Sequence, residues 1–297
     1  MNHETVLLSE AVEALAIRPD STIVDTTFGA GGHATQIVSQ LDATGQYIGI
    51  DTDQTALRHN LNELENVTLV HGNFRDLHTL MGSLEIEKVD GILADLGWRM
   101  EQFSGNGRGF SFRHDEPLLM TLGEPSDYPF TARDIVNEWD EHVLADIIYG
   151  YGEERFARRI AKRIVETRDE SPIETSKQLS DLIVGAYPAV ARHGRTHVAT
   201  KTFQALRIAV NEELTAVEQL VEQGIELLAP NGRLVIITFH SIEDRVVKHA
   251  FKAAQAAERG NVLTKKPITP SSEELEHNPR ARSAKLRIFE KSNISTK

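Results

Sequence analysis

Five short β-rich runs, Thr22 to Asp25, Gln46 to Asp51, Val67 to His71, Val89 to Asp95 and Arg233 to Phe239, alternate with stretches of helical patterning. That alternation admits few folds, because successive strands joined through helices lie parallel and a parallel sheet needs helices on both faces. Residues 96–232 separate the fourth run from the fifth, far more chain than the loops and single helix of a crossover. An insertion is therefore expected. A loop rich in Gly and Phe around Gly105 to Phe112 opens it, and helical patterning follows through Thr131 to Glu166 and Thr175 to Ala186. From Thr200, the apolar positions Phe203, Leu206, Val210, Leu214, Val217, Val221, Ile225 and Leu228 predict one long amphipathic helix that Pro230-Asn231-Gly232 ends. The predicted architecture is an open, mostly parallel α/β sheet domain over 1–102 plus 200–297, with an inserted helical domain over 103–199.

Composition narrows the function classes. The 297 residues, 40% of them hydrophobic, can bury a sizeable core, and the chain contains no cysteine, which removes disulfides, thiolate metal sites and a cysteine nucleophile. No apolar run is long enough to span a bilayer, so a soluble, cytoplasmic protein with no membrane partner is expected. The formal charge of −12 argues against a nonspecific polyanion binder. Nucleic acid would have to meet a local basic face, and two segments offer one: Arg155, Arg158, Arg159, Lys162, Arg163 and Arg168, and then Arg280, Arg282, Lys285 and Arg287. His193 and His197 have a metal-compatible spacing but lack the glutamate of a zincin, and no metal site is predicted.

The most informative segment follows the first run: Asp25-Thr26-Thr27-Phe28-Gly29-Ala30-Gly31-Gly32-His33, leading into a helix. Glycines there permit a tight turn and close approach of a ligand. Asp51 ends the second run 22 residues after Gly29, where a carboxylate can hold a ribose hydroxyl pair. A dinucleotide and S-adenosylmethionine both fit this much. Asp25 would repel a pyrophosphate and suits a cationic sulfonium, and Thr35 stands where a third glycine would be needed, so the layout favours the methyl donor. Phe74, after the third run, could pack on an adenine, and Asp95 closes the fourth run, opposite the reacting centre.

Across nearly its whole length the chain resembles the bacterial 16S ribosomal RNA cytidine-N4 methyltransferases, the MraW or RsmH family. The blocks that carry the resemblance are His3 to Leu8, Asp25 to His33, Asp95-Leu96-Gly97, Arg108 to Phe112, Tyr151 to Glu154, Thr202 to Ile208 with Asn211-Glu212, Phe239 to Arg245, and Asn278 to Ser283. The resemblance implies a class I, Rossmann-like methyltransferase with S-adenosylmethionine contacts at Gly31, Gly32, His33, Asp51, Phe74, Asp95 and Gln102. It implies 16S rRNA or the small ribosomal subunit as partner; a homodimer is compatible with it. The chain departs from the family pattern at 98–101, Trp98-Arg99-Met100-Glu101, and at 116–122, where Leu119 and Thr121 replace a carboxylate and an arginine. These departures keep two other readings open: methylation of another RNA base, or a ribosome-assembly RNA-binding protein with little turnover.

The exocyclic amine of cytosine is a weak nucleophile, so acceptors must take its N–H bonds as it attacks. Asp95 is the first candidate, with Asn211 and His240, and behind them Asp244, from the family blocks after the insertion. Trp98, Phe103, Phe110 and Phe112 are candidates for replacing the stacking of a splayed-out base. Gly107-Arg108-Gly109 reads as a phosphate site or a loop hinge.

Overall fold

The structure, a computed structural model, describes residues 4–96, 107–192, 194 and 196–293. The chain divides into two compact units, 1–97 with 214–297, and 98–213.

The first unit holds strands β1 (Thr22–Asp25), β2 (Gln46–Asp51), β3 (Val67–His71), β4 (Val89–Asp95), β5 (Leu228–Thr238), β6 (Gly260–Val262) and β7 (Lys285–Lys291). They form one sheet in the order β3-β2-β1-β4-β5-β7-β6. Strands β1 to β5 run parallel, and β7 lies antiparallel to both β5 and β6. Side chains alternate between two buried faces, as a strand period of two requires. Val24, Ile92, Ala94, Leu234 and Ile236 pack under α3 (Leu77–Ser83), α9 (Glu213–Leu227) and α10 (Ser241–Ala256). Ile23, Leu93, Val235 and Ile237 pack under α1 (Leu8–Ala14) and α2 (Gly32–Val38). The registers Asp25↔Gly49, Asp25↔Leu93 and Asp51↔His71 bring the carboxyl ends of β1 and β2 level with those of their neighbours.

The second unit is helical: α4 (Ala132–Glu138), α5 (Glu141–Gly152), α6 (Ala157–Arg168), α7 (Ser176–Ala186) and α8 (Thr200–Asn211) enclose a separate core of Leu118, Ile135, Leu144, Ile148, Ile160, Ile164, Leu179, Ile183, Phe203 and Leu206. Thr131 with Asp134, and Thr175 with Gln178, close reciprocal capping boxes that start α4 and α7.

Two sequence expectations change here. The helix predicted from Thr200 to Leu228 is two helices, because Glu212 takes a left-handed conformation (φ 47°) between α8 and α9. Phe203, Leu206 and Val210 serve the helical core whereas Val217, Val221 and Ile225 serve the sheet core, so the second unit ends at Glu213 where 199 was expected. The second correction concerns the basic segment near the C-terminus. Its second half lies in β7, and Arg287 is buried with its Nε 2.6 Å and its Nη2 3.1 Å from the Asp244 carboxylate, while Lys285 Nζ lies 3.3 Å away. Arg280 and Arg282 alone keep exposed positions. Lys285 and Arg287 are thereby removed from the predicted RNA face, and Asp244 from the list of acceptors.

Burial pushes the Asp244 carboxyl up, but the Arg287 guanidinium and Lys285 ammonium outweigh it and hold the group below its ordinary 3.8. The ionised pair therefore stabilises the fold fully above that value, and this contribution is lost as the pH falls below it. Arg287→Ala should cost about 3–5 kcal/mol, towards the lower end because Lys285 remains, by leaving a buried carboxylate without its main partner. Urea unfolding at pH 7 checks the size, and a shallower loss of stability on acidification in the variant checks the cause.

Candidate active site

The carboxyl edge of the sheet is tied together by side chains at the strand ends. Asp25, at the end of β1, is buried; its Oδ1 accepts the Thr27 amide at 3.0 Å and its Oδ2 accepts the Tyr47 hydroxyl from β2 at 2.9 Å. Burial raises the Asp25 pKa; His33, the Thr27 amide and the Tyr47 hydroxyl oppose the shift and the Asp95 charge adds to it. Thr27 Oγ1 in turn accepts the backbone amide of Asp95 at 2.6 Å, and the Thr26 amide and hydroxyl both donate to Leu93 O, at 2.9 and 3.0 Å. The carboxyl ends of β1 and β4 are thus joined through one polar chain that Tyr47, near the start of β2, also enters, and Asp25, His33 and Asp95 share one electrostatic neighbourhood.

Above this chain sits the glycine turn. Gly29 N–H donates to Asp51 Oδ2 at 2.7 Å, so the carboxylate predicted to hold a ribose also fixes the turn. Its Oδ1 accepts the Asp53 amide at 2.8 Å. Gly31 adopts φ 76° as the residue before α2, a conformation that disfavours side chains. A Cβ on Gly32 would overlap Thr5 Oγ1 and lie 3.0 Å from Thr5 Cβ. His33 is buried, with Nε2 3.2 Å from Val6 O. Phe74 is half-buried just after β3, packs against the sheet core, and follows Asn73, whose Oδ1 accepts the Arg75 amide.

His240 follows β5, whose Ile237 is the register partner of Asp95. Its Nδ1 accepts the Glu243 amide and starts α10. Its Nε2 lies 3.1 Å from Glu243 Oε1, yet off the line of a hydrogen bond, and is buried without another partner among the described residues. Asn211 belongs to the helical unit. Its amide donates to Met120 O (2.8 Å) and Arg207 O (2.9 Å), and its Oδ1 accepts Leu122 N–H (3.1 Å). In the same unit Phe112 stacks on His197 at 4.5 Å and meets Phe203 edge-on, and Phe110 packs against the helical core. Arg108 binds the carbonyls of Thr121 and Gly123 and the Glu124 carboxylate, which makes its loop an internal clasp. Gln102, Gly97, residues 98–101, Phe103 and His193 lie outside the described residues.

The residues fit a nucleoside-based methyl donor. The turn has no room for a Cβ at Gly32, an acid is fixed beneath it, and Asp51 stands at the strand end beside it. Sequence reasoning missed Tyr47 and Thr5. Tyr47 carries a detectable signal, a hydroxyl in an otherwise apolar central strand that must find a buried partner.

A sheet in this order, with one antiparallel strand set between β5 and β6 and a glycine turn after β1, is that of a class I methyltransferase. The chain belongs to the MraW methylase family, whose model matches residues 1–292. It is 46% identical to the ribosomal RNA small subunit methyltransferase H of Brevibacillus brevis, over 98% of each chain. It is 43% identical to the protein of the same name from a Paenibacillus species, over 97% of this chain and 99% of that one. A solved rRNA methylase structure from Streptococcus thermophilus is similar at TM-score 0.43 and 11% identity, over 98% of this chain and 99% of that one.

The crowding at Gly32 gives a direct check. Gly32→Ala should lower stability by about 1–3 kcal/mol through overpacking, and adding Thr5→Ala, which removes the overlapping oxygen, should restore part of the loss. Thermal unfolding of the single and double variants measures both effects.

Proposed function

We propose that this protein transfers the methyl group of S-adenosylmethionine to the N4 amine of a cytidine in small-subunit (16S) ribosomal RNA. The observation that carries the reading is the 46% identity, extending over 98% of both chains, to a ribosomal RNA small subunit methyltransferase H. The glycine turn held by Asp51 and the acid beneath it support the choice of donor.

When bound, S-adenosylmethionine supplies an electrophilic methyl on a sulfonium. Gly31, Gly32 and His33 would border its amino-acid part, Asp51 would hold the ribose hydroxyls, and Phe74 would pack on the adenine, with Asp95 and Gln102 completing the set. Asp95, whose backbone is fixed by Thr27, is the acceptor that orients the attacking amine. His240 is not a second acceptor: its Nδ1 accepts the Glu243 amide, so the neutral ring carries its proton on Nε2, 3.1 Å from Glu243 Oε1, and that nitrogen can only donate. Asn211 spends both amide donors and its oxygen on the backbone of Met120, Leu122 and Arg207, and acts by holding that segment. The divergent stretch 116–122 is built into the fold: Leu118, Met120 and Thr121 are fully buried, and the Glu116 carboxylate accepts Gly109 N–H at 2.9 Å.

RNA affinity rests on α6. Its apolar face, Ala157, Ile160, Ala161 and Ile164, is buried, and Arg158, Arg159, Lys162 and Arg163 are exposed. This arrangement opposes the helix: the first turn carries two cations and no acid, against the macrodipole, and Arg158–Lys162 and Arg159–Arg163 are like-charge i,i+4 pairs. Glu166 approaches Lys162 at 3.9 Å and Arg163 at 3.6 Å, whereas Arg158 and Arg159 have no ion-pair partner among the described residues. A cationic face that works against its own helix in a protein of charge −12 is suited to RNA phosphates.

Purified protein supplied with donor and 16S rRNA should yield N4-methylcytidine by nucleoside mass spectrometry, and the modification should vanish from cells lacking the gene. Asp95→Ala should lower the rate at least about a hundredfold, roughly 2.7 kcal/mol in the barrier. Another methylated base would overturn the target, and no product with bound donor would favour an RNA-binding role without turnover. Changing Arg158, Arg159 and Lys162 together to Glu should weaken RNA binding and reduce the slope of log affinity against log salt by roughly 2–3, with donor binding unchanged in the same preparation.

A further inference from the structure

Asp51 lies on one side of the glycine turn, and the chain that leaves it folds back over the other. Asp51 Oδ1 accepts the Asp53 amide, Asp53 Oδ1 accepts the Thr55 amide (2.8 Å) and hydroxyl (2.6 Å), and Ala56 N–H donates to Asp53 O at 3.0 Å. These turns carry His59 back to the loop. Its ring meets Phe28 edge-on, with centroids 5.4 Å apart, and a Cβ built on Gly31 would lie 3.0 Å from His59 Nε2 and 3.2 Å from Cε1. The Nε2 edge of the imidazole therefore faces the bare α-carbon of the turn.

The other ring nitrogen is already used. His59 Nδ1 accepts the Leu61 amide at 3.3 Å, as the residue that starts the short 3-10 helix Asn60–Glu63. An Nδ1 that accepts places the proton of the neutral ring on Nε2, so a hydrogen-bond donor points at the turn. Among the described residues it has no hydrogen-bond partner, and the ring is half-buried. We propose that His59 is a further donor-binding residue, whose Nε2–H donates to an oxygen of the bound methyl donor, either a ribose hydroxyl or the methionyl carboxylate. This rests on the S-adenosylmethionine reading above. Together with Asp51, His59 would flank the turn so that the ligand is held from both sides, and Gly31 would have to lack a side chain for the imidazole to come so close.

The two nitrogens can be separated by substitution. In His59→Asn the amide oxygen can replace Nδ1 as the cap but nothing reaches the Nε2 position; in His59→Gln the amide NH2 can replace Nε2–H while the cap is lost. Binding of S-adenosylhomocysteine and of 5′-methylthioadenosine to the full chain is measured by calorimetry, and stability by thermal unfolding without ligand. Asn and Ala at 59 should weaken S-adenosylhomocysteine binding at least fivefold, and Gln should stay within about threefold of the native protein. In the unliganded protein the order should reverse, Asn unfolding close to the native temperature and Gln below it. If the loss persists with 5′-methylthioadenosine the acceptor is a ribose hydroxyl, and if it is confined to S-adenosylhomocysteine the acceptor is the carboxylate. Native affinity in a folded Asn variant overturns the proposal and leaves His59 as packing for Phe28. Failure of the native protein to bind either ligand overturns the donor reading instead.

Discussion

A carboxylate buried under the glycine turn sets the terms for the whole carboxyl edge of the sheet. Asp25 loses most of its hydration, and an unpaired acid there would cost several kcal/mol or remain protonated. His33, the Thr27 amide and the Tyr47 hydroxyl offset part of that cost, the last two with hydrogen bonds of 3.0 and 2.9 Å. Those partners come from β2 and from the turn, so satisfying one acid fixes two neighbouring segments. Thr27 passes the constraint on, because its hydroxyl accepts the Asp95 amide. The position of Asp95 is consequently a property of the network and not of its own strand alone. Asp51 extends the same logic to Gly29. Three strands end in an acid: the Asp25 and Asp51 carboxylates accept backbone amides, and Asp95 is held through its own amide by the Thr27 hydroxyl.

How much of this is legible in sequence follows from the range of each interaction. The first four strands and the glycine turn are local patterns, apolar runs with period two and a cluster of small residues, and they lie where the pattern puts them. Strands β6 and β7 lie outside the five predicted runs. β7 alternates Leu286, Ile288 with Lys285, Arg287, and the cations suggested a surface for RNA when one of them is a buried partner for Asp244 on α10, 43 residues away in sequence. Nothing local distinguishes a buried arginine from an exposed one. The break at Glu212 was missed for a related reason: the apolar spacing continues across it, and only the existence of two cores explains why the halves diverge. Gly31, Gly32 and Asp51 could be read from the turn and its distance to an acid, whereas His59 could not, because its approach to Gly31 depends on three successive turns between them.

The charge distribution is unequal in a way the total conceals. Acidic residues outnumber basic ones overall, yet α6 carries five cations against one acid, Glu166, which lies past the middle of the helix. Arg168, at the end of the same helix, is by contrast fully engaged, donating to Val136 O and Trp139 O. Cations within one helix thus divide into a structural cap at its end, two that approach Glu166, and Arg158 and Arg159 in the first turn, which have no ion-pair partner among the described residues. An acidic total with a local basic face limits nonspecific attachment to polyanions while preserving affinity for a surface that presents phosphates in the right arrangement.

Each unit closes its own hydrophobic core, and this affects how sequence change is tolerated. Substitutions in the helical unit are answered within it: Glu116 finds the Gly109 amide, and the backbone around Met120 and Leu122 is held by Asn211. Arg108 clasps the same loop through the Thr121 and Gly123 carbonyls. None of these interactions uses a residue of the glycine turn or of the strand-end acids. The polar chain through Tyr47, Asp25, Thr27 and Asp95 likewise draws only on the sheet unit. Among the described residues, the hydrogen bonds that hold 116–122 are made within the helical unit. Leu118, Met120 and Thr121 are fully buried in the helical unit, so the identity of the residues in 116–122 is constrained first by the packing of that unit.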